Sequence, residues 1–496
     1  MRKVEEKQMK LGEVDISKIE IDLKSRDEIP KLLRGLQYIY STPGVREEVF
    51  KILEEIAPVG KSKSKGRPGM EQWKILVLGT IRLNCDWDYD KLREIANEHR
   101  TLRLMLQHIP EDEYQYPMQT IKDNVSLLTP DMLNRINAVV ITAGHKEAGK
   151  KKEESLNGRC DSYVVETDVH YPTDINLLFD AARKVIELTG GMKGVEGWRQ
   201  KEYLKRKIKK RYRRVQNMKR SNSKNESKKA AREKEIIEAH RTYILEVEEI
   251  LEKAEKSLGG MTAMSKHENE DAITKIESFM RHARRQIDQI QRRVIRGEVI
   301  PHDEKVFSVF EDYTEWICKG KAGITQELGL KVCIIEDQYN FILHHKVMRK
   351  QTDEEVAVEV TKAAKAEFPS LSTCSYDKGF YSPQNKEELS GILDMAVLPK
   401  KGKFPAKDAQ IEKSAVFVQA RRKHSAVESA ISALENHGLD RCLDFGIVGF
   451  QRYVALAVLA RNIQILGNIL QKKELKSIQR REKYNRTRAE RKRAAA

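Results

Sequence analysis

Three acids stand in segments whose pattern asks for a reason for an acid: Asp161 in CDSYVVET (160–167), Asp377 closing LSTCSYD (371–377), and Glu428 in HSAVESAISALENHG (424–438). Two aspartates and a glutamate, brought together, offer hard oxygen ligands to a divalent cation such as magnesium, which keeps several waters and needs few carboxylates. A pair of such ions about 3.5–4 Å apart stabilises both the attacking and the leaving oxygen of a phosphoryl transfer, and no histidine base is required. Taken singly, each acid has an ordinary explanation: an edge-strand acid, a turn or cap residue ahead of Lys378 and Gly379, and a surface glutamate on a helix. Asp168 and Asp174 compete with Asp161 for the first position. Asp161 is preferred because it lies inside the β-rich run, whereas Asp168 falls at its end and Asp174 suits a helix cap.

The elements that must position these acids can be read from periodicity. NGRCDSYVVET (157–167) is dense in β-branched and aromatic residues and predicts a strand carrying Asp161. After a loop at Tyr171 and Pro172, Thr173 or Asp174 caps a helix bearing Leu177, Leu178, Ala181, Val185 and Leu188. KVCIIED (331–337) and YNFILHHKV (339–347) predict an antiparallel hairpin, preceded by VFSVFEDY (306–313) and the basic segment CKGKAGITQELG (318–329). A helix over 353–368, the strand ending at Asp377, a helix over 382–391, a strand over 392–399 and a helical stretch from near Ala406 that holds Glu428 complete this part.

Two other regions lack strand signals. Residues 30–59 and 70–128 predict short helices around the polar linker GKSKSKGRPG (60–69), with Trp73, Leu76, Val77, Thr80 and Ile81 on one face; such a unit resembles what a helix-turn-helix domain offers DNA. Residues 192–298 predict an all-helical excursion with a helical hairpin over 231–258 and 268–298. Within it, 199–234 carries 17 Lys and Arg against three Glu, and the tail 472–493 carries 11 against three. Over all 496 residues, 92 Lys and Arg against 75 Asp and Glu give a net charge of +17, which favours polyanionic partners through counterion release. Six scattered cysteines form no CxxC pair, so neither a disulfide framework nor a zinc site is expected. No 18-residue apolar run or signal-peptide core stands out, and a soluble protein kept inside the cell is expected, with no membrane partner.

DSYVVETDVHYPTDINLLFDAARKVI, YTEWICKGKAGITQELGLKV, YDKGFYSPQN and HSAVESAISALENHGLDRC, in this order, resemble the ISNCY-type transposases of bacterial insertion sequences, within the larger DDE class; the likeness spans roughly 60–190 and 300–465. The order of elements around the acids likewise resembles a ribonuclease H-like nucleotidyltransferase core. The resemblance implies that Asp161, Asp377 and Glu428 are the catalytic, metal-holding acids, with Mg2+ or Mn2+ as cofactor. Tyr163 stands where the family usually has Thr, and Lys378 where it has Arg. The implied activity is cleavage at the ends of a mobile DNA element and joining of the freed 3′-hydroxyl to target DNA, by a homodimer or larger synaptic assembly on double-stranded DNA, in the cytoplasm with the nucleoid. CKGKAG and His424 would contact phosphates near the scissile bond. The rival readings are a catalytically silent DNA-binding repressor and a ribonuclease H-like nuclease or resolvase. The expected fold class is therefore α/β: a ribonuclease H-like mixed sheet flanked by helices (151–191 and 299–470), an N-terminal all-helical DNA-binding domain (1–150), a basic helical insertion (192–298) and a basic tail (471–496).

Overall fold

The computed structural model describes residues 14–22, 24–56, 69–218, 225–318, 326–400, 410 and 412–494, the last with side chains to 487. The linker at 60–69 lies outside them except for Gly69. So do most of CKGKAG, the region around Ala406, positions 219–224 of the basic run, and the side chains of the end of the tail.

The elements follow one another as α1 (Glu28–Ser41), α2 (Pro43–Leu53), α3 (Gln72–Asn84), α4 (Tyr89–Glu98), α5 (Arg100–Met105), α6 (Met118–Val125), α7 (Pro130–Ala148) and β1 (Leu156–Thr167). Next come α8 (Asp174–Thr189), α9 (Lys201–Gln216), α10 (Glu226–Gly259), α11 (Ala263–Glu268), α12 (Glu270–Ile290) and β2 (Glu315–Cys318). The chain continues through β3 (Gln326–Glu336), β4 (Ile342–Val347), α13 (Asp353–Glu367), β5 (Leu371–Tyr376), α14 (Pro383–Ile392) and β6 (Met395–Val397). It ends with α15 (Ala415–His424), α16 (Ala426–Leu434), β7 (Arg441–Cys442) and α17 (Gly446–Ala494). The fold is mixed α/β, rich in helix, with one seven-stranded mixed sheet.

The packing divides the chain differently from its composition. One compact unit is Met1–Asp168 with Ile317–Ala496, and the other is Val169–Trp316. The N-terminal helices therefore do not stand apart as a domain over 1–150. They share a unit with the sheet because α17 packs along α1, α3 and α7. Helix α8, expected beside the sheet, belongs to the second unit, where its apolar stripe packs on α9, α10 and α12.

In the first unit, β3, β1, β5 and β6 lie in that order. Both β4 and β2 pair with β3, and β7 pairs with the end of β1. β1 runs antiparallel to β3 and parallel to β5; β3 and β4 are antiparallel, and β5 and β6 parallel. The hairpin turn is built on Asp337, wholly buried, which accepts from the backbone N–H groups of Tyr339 and Phe341 and sits 2.5 Å from His145 Nε2. Asn340 takes a left-handed φ of 70° there. One sheet face, with Leu156, Cys160, Cys333, Ile335, Cys374 and Tyr376, packs on α13 and on Ile141 and Ile465 from α7 and α17.

Helix α3 is buried almost all round, not on one face as its spacing suggests, because α1, α2, α4, α6 and α17 surround it. It has no side free to enter a DNA groove. An apolar run long enough to cross a membrane does occur: in Gly446–Thr487, an 18-residue window reaches a mean hydropathy of 1.4, and 83% of it is buried inside the protein. This is the central helix of the first unit. The basic tail continues it as helix.

The second unit, among its described residues, carries no strand before β2. Tyr243, Val247, Leu251, Ile276 and Ile287 join the α8 stripe in its core. The expected hairpin of α10 and α12 is a minor contact, since α12 lies chiefly on α8.

Helices α1 and α17 cross at glycines. A Cβ on Gly467 would lie 1.9 Å from Lys31 O, and one on Gly35 would lie 2.2 Å from Ile463 O. Both obstacles are backbone, so relief requires the helices to separate. Gly467→Ala is expected to lower stability by about 2 kcal/mol, read as a lower Tm in a thermal melt. An unchanged Tm would show that the crossing tolerates a wider spacing.

Candidate active site

The strand pairing decides where the acids fall. Along the parallel pair, Gly158 faces Cys374, Arg159 faces Ser375 and Cys160 faces Tyr376. One further step sets Asp161 beside Asp377, the residue just past the end of β5. Successive strand side chains alternate between faces. Cys160, Cys374 and Tyr376 belong to the α13 face, so Asp161, Ser375 and Asp377 share the opposite one. That face is covered by α15 against β5 and by α16 against β1. Glu428 stands in the first turn of α16, exposed, next to Val427, which faces inward. Asp377 is exposed and precedes a 3-10 turn (Lys378–Phe380) without capping it through its side chain.

Asp161 is the half-buried member. Its carboxyl accepts from the backbone N–H of Ser162 at 2.7 Å, but burial, and then the negative charges of Asp377, Asp353 and Glu428, push its pKa up to about 6 from the usual 3.8. These carboxylates feel one another without closing into a ligand shell: among the described residues, no group of three or more His, Cys, Asp and Glu side chains is drawn in tightly enough to hold a metal ion. The donor set still suits the hard divalent cation that the resemblance implies. All donors are carboxylate oxygens, and burial, with the neighbouring carboxylates second, raises the proton affinity of Asp161.

His424 ends α15 and places Nδ1 3.1 Å from Ser375 Oγ. Burial lowers its pKa, against the opposing pull of Asp377 and Glu428. At neutral pH it is an uncharged hydrogen-bonding group on the acids' face. Beside it, a cleft of about 480 Å³ is lined by Arg159, Thr373, Ser375, Gln419 and Lys423 among others.

The two competitors for the first acid lie elsewhere. Asp168 is exposed beyond the end of β1, 3.9 Å from Arg441. Asp174 belongs to the second unit and pairs with Arg293 at 3.0 Å. Sequence reasoning missed Asp353, in the first turn of α13, which accepts from Ser162 Oγ at 2.6 Å and pairs with Lys331 at 3.1 Å. Its position explains the omission: Thr352 and Glu355 form a capping box, and acids in a first helical turn are explained by the helix itself. Tyr163, standing where the resembled family usually has Thr, is buried, and among the described residues its hydroxyl has no hydrogen-bond partner.

The raised pKa of Asp161 has a consequence for stability. Between about pH 4 and 6 the folded state holds a proton that the unfolded chain has released, so stability is full below that window and falls as pH rises through it. At about 1.4 kcal/mol per pKa unit, ionised Asp161 opposes folding by on the order of 3 kcal/mol. Asp161→Asn is therefore expected to match the parent below pH 4 and to exceed its Tm at pH 8. Equal melting curves for both proteins at pH 8 would place Asp161 outside a crowded acidic site.

Comparison of this chain with family models, with curated proteins and with solved structures found no match.

Proposed function

We propose that this protein is a DNA transposase of the DDE class, similar to the ISNCY type, with a ribonuclease H-like catalytic core. The observation that carries the reading is the register that sets Asp161 beside Asp377 on the sheet face beneath α16, whose first turn bears Glu428. The strand order β4, β3, β1, β5, β6, with β1 antiparallel to β3 and parallel to β5, supports the ribonuclease H-like part.

Asp161, Asp377 and Glu428 would hold Mg2+ or Mn2+, which supplies Lewis-acid stabilisation of the oxygens at phosphorus. Among the protein's own groups, Asp161 must be ionised to serve. With a pKa near 6 it is so at neutral pH, at a cost in folding energy. His424, uncharged and tied to Ser375, positions a hydrogen bond at the acids' edge. In the first reaction a water oxygen forms a bond to the scissile phosphorus, its proton passes to solvent, and the bond from phosphorus to the 3′-oxygen of the element end breaks. In the second, that freed 3′-hydroxyl gives its proton to solvent as its oxygen bonds to a target phosphorus, and the displaced target 3′-oxygen takes up a proton from solvent. The substrate is double-stranded DNA, at element ends and at the target, and a homodimer or larger assembly pairs the two ends.

The test is strand cleavage and joining on a labelled duplex bearing the sequences that flank the gene, with Mg2+. Each of Asp161→Asn, Asp377→Asn and Glu428→Gln removes several kcal/mol of transition-state stabilisation. Rates are expected to fall about 10²- to 10⁴-fold, while Asp168→Asn stays near the parent. Cleavage without joining would favour a nuclease or resolvase. Binding with neither reaction would favour a silent repressor, and full activity in Asp161→Asn would remove the acid from the site.

A further inference from the structure

Helix α9 sorts its cations into two groups. Ile208 and Val215 are buried, and Tyr212 stacks on Phe179 of α8 with ring centroids 5.1 Å apart, so one side of the helix is fixed to the second unit. On the flanks the charges are matched within the unit: Lys205 with Glu202 at 2.6 Å and Glu187 at 3.8 Å, Arg211 with Glu246 at 2.6 Å, and Lys207 with Glu249 at 3.7 Å. The crest is different. Arg206, Lys209, Lys210, Arg213 and Arg214 are all exposed, and among the described residues none is ion-paired with an acid. Exposed Tyr203 stands at the head of this row.

Flank pairing leaves the crest as the place where the positive charge of α9 is uncompensated. The rigid seating of the opposite side means that these cations are held in a line without ordering a loose segment. From Arg206 to Arg214 the rise is about 12 Å, over which one strand of duplex DNA presents roughly three to four phosphates. An anionic membrane fits poorly, because a helix lying on lipid must turn apolar side chains outward, and the apolar side of α9 is already buried in the unit's core.

We infer that the crest of α9 is a sequence-independent docking surface for the phosphate backbone of duplex nucleic acid. Choosing a nucleic acid over another polyanion rests on the phosphoryl-transfer reading of the acids. Long flexible cations reach phosphate oxygens and not base edges, so the surface adds affinity and orientation without selecting a sequence.

The experiment uses the full-length protein and a scrambled duplex, with binding followed across a salt series in the absence of divalent metal. Four proteins are compared: the parent, a crest variant with Arg206, Lys209, Lys210, Arg213 and Arg214 all changed to Gln, a flank variant with Lys205, Lys207 and Arg211 changed to Gln, and Asp161→Asn. The crest variant should bind at least tenfold more weakly at moderate salt, with the slope of log affinity against log salt reduced by about 3, at about 0.9 for each phosphate no longer neutralised. The flank variant should keep the parent's slope, and Asp161→Asn is compared for strand cleavage alone, with Mg2+ added. Should the crest variant melt early, Lys210→Glu alone should lower the slope by about 1–2. The inference is overturned by an unchanged slope in the crest variant, or by an equal drop in the flank variant. Loss of binding to phosphatidylserine vesicles with duplex binding intact would overturn it as well. Undiminished strand cleavage by Asp161→Asn would sink the phosphoryl-transfer reading and leave the salt result standing.

Discussion

The parallel pairing of β1 with β5 is the constraint on which the candidate site depends. It sets Asp161 next to Asp377, and the alternation of strand faces turns both toward α16 and away from the hydrophobic side of the sheet. Slipping β1 by one residue would send Asp161 into the layer of Cys333, Ile335 and Val356 and bring Cys160 to the acids' face. That layer resists the slip, because burying a carboxylate among apolar side chains costs far more than the register gains elsewhere. The hydrophobic pattern on one face thus fixes the chemistry on the other.

What holds the register is remote from the acids. Asn462 on α17 donates to Asn137 Oδ1 at 2.7 Å and to Ile342 O at 3.0 Å, and its own Oδ1 accepts from Ile342 N at 3.0 Å. These hydrogen bonds tie two helices to the first residue of β4. Nearby, a Cβ on Gly144 would meet the Phe341 ring at 2.2 Å, so α7 sits directly on the hairpin whose turn is built on Asp337. With β3 fixed through β4, β1 inherits its position by pairing, and β5 by pairing with β1. The burial of α17 explains why the N-terminal helices and the sheet form one unit: a helix apolar on most sides must be covered all round, and α1, α3 and α7 cover it.

Much of this is legible from periodicity, and the failures share a cause. The strand over 157–167, the hairpin, the helix from Thr352 and the strand ending at Asp377 all have local signals: β-branched density, a turn, a capping box. The grouping of elements into units does not, because it depends on which apolar stripes meet, and a stripe does not name its partner. Hence α8 reads as part of the sheet layer, and 1–150 as separate, although the packing says otherwise. Helix α3 shows the same limit in another form. Its apolar residues at helical spacing suggest one buried face, but Gln72, Thr80, Arg82 and Asn84 are buried too. Arg82 lies over the Tyr89 ring and reaches Asp444 at 2.9 Å, a partner 362 residues away that no local pattern reveals. Asp353 is hidden for the opposite reason, since its surroundings explain it too well.

The acids' face and the crest of α9 present opposite electrostatic situations, and the contrast says what each can do. At Asp161, burial and then the neighbouring carboxylates penalise the charged form, and the carboxyl holds its proton up to about pH 6. Such a site gains from any cation that enters, and it gains most from one with hard, divalent charge. At α9, cations are spread along an exposed line where solvent and salt already screen them, so their mutual repulsion stores little folding energy. A line of that kind gains by releasing counterions from a polymer and has little to gain from a small anion. On the proposed reading, the first arrangement would change bonds at one phosphorus and the second would hold many phosphates along a strand. Because the two lie in separate compact units, the grip on a polyanion can change by substitution along α9 without disturbing the register that aligns Asp161 with Asp377.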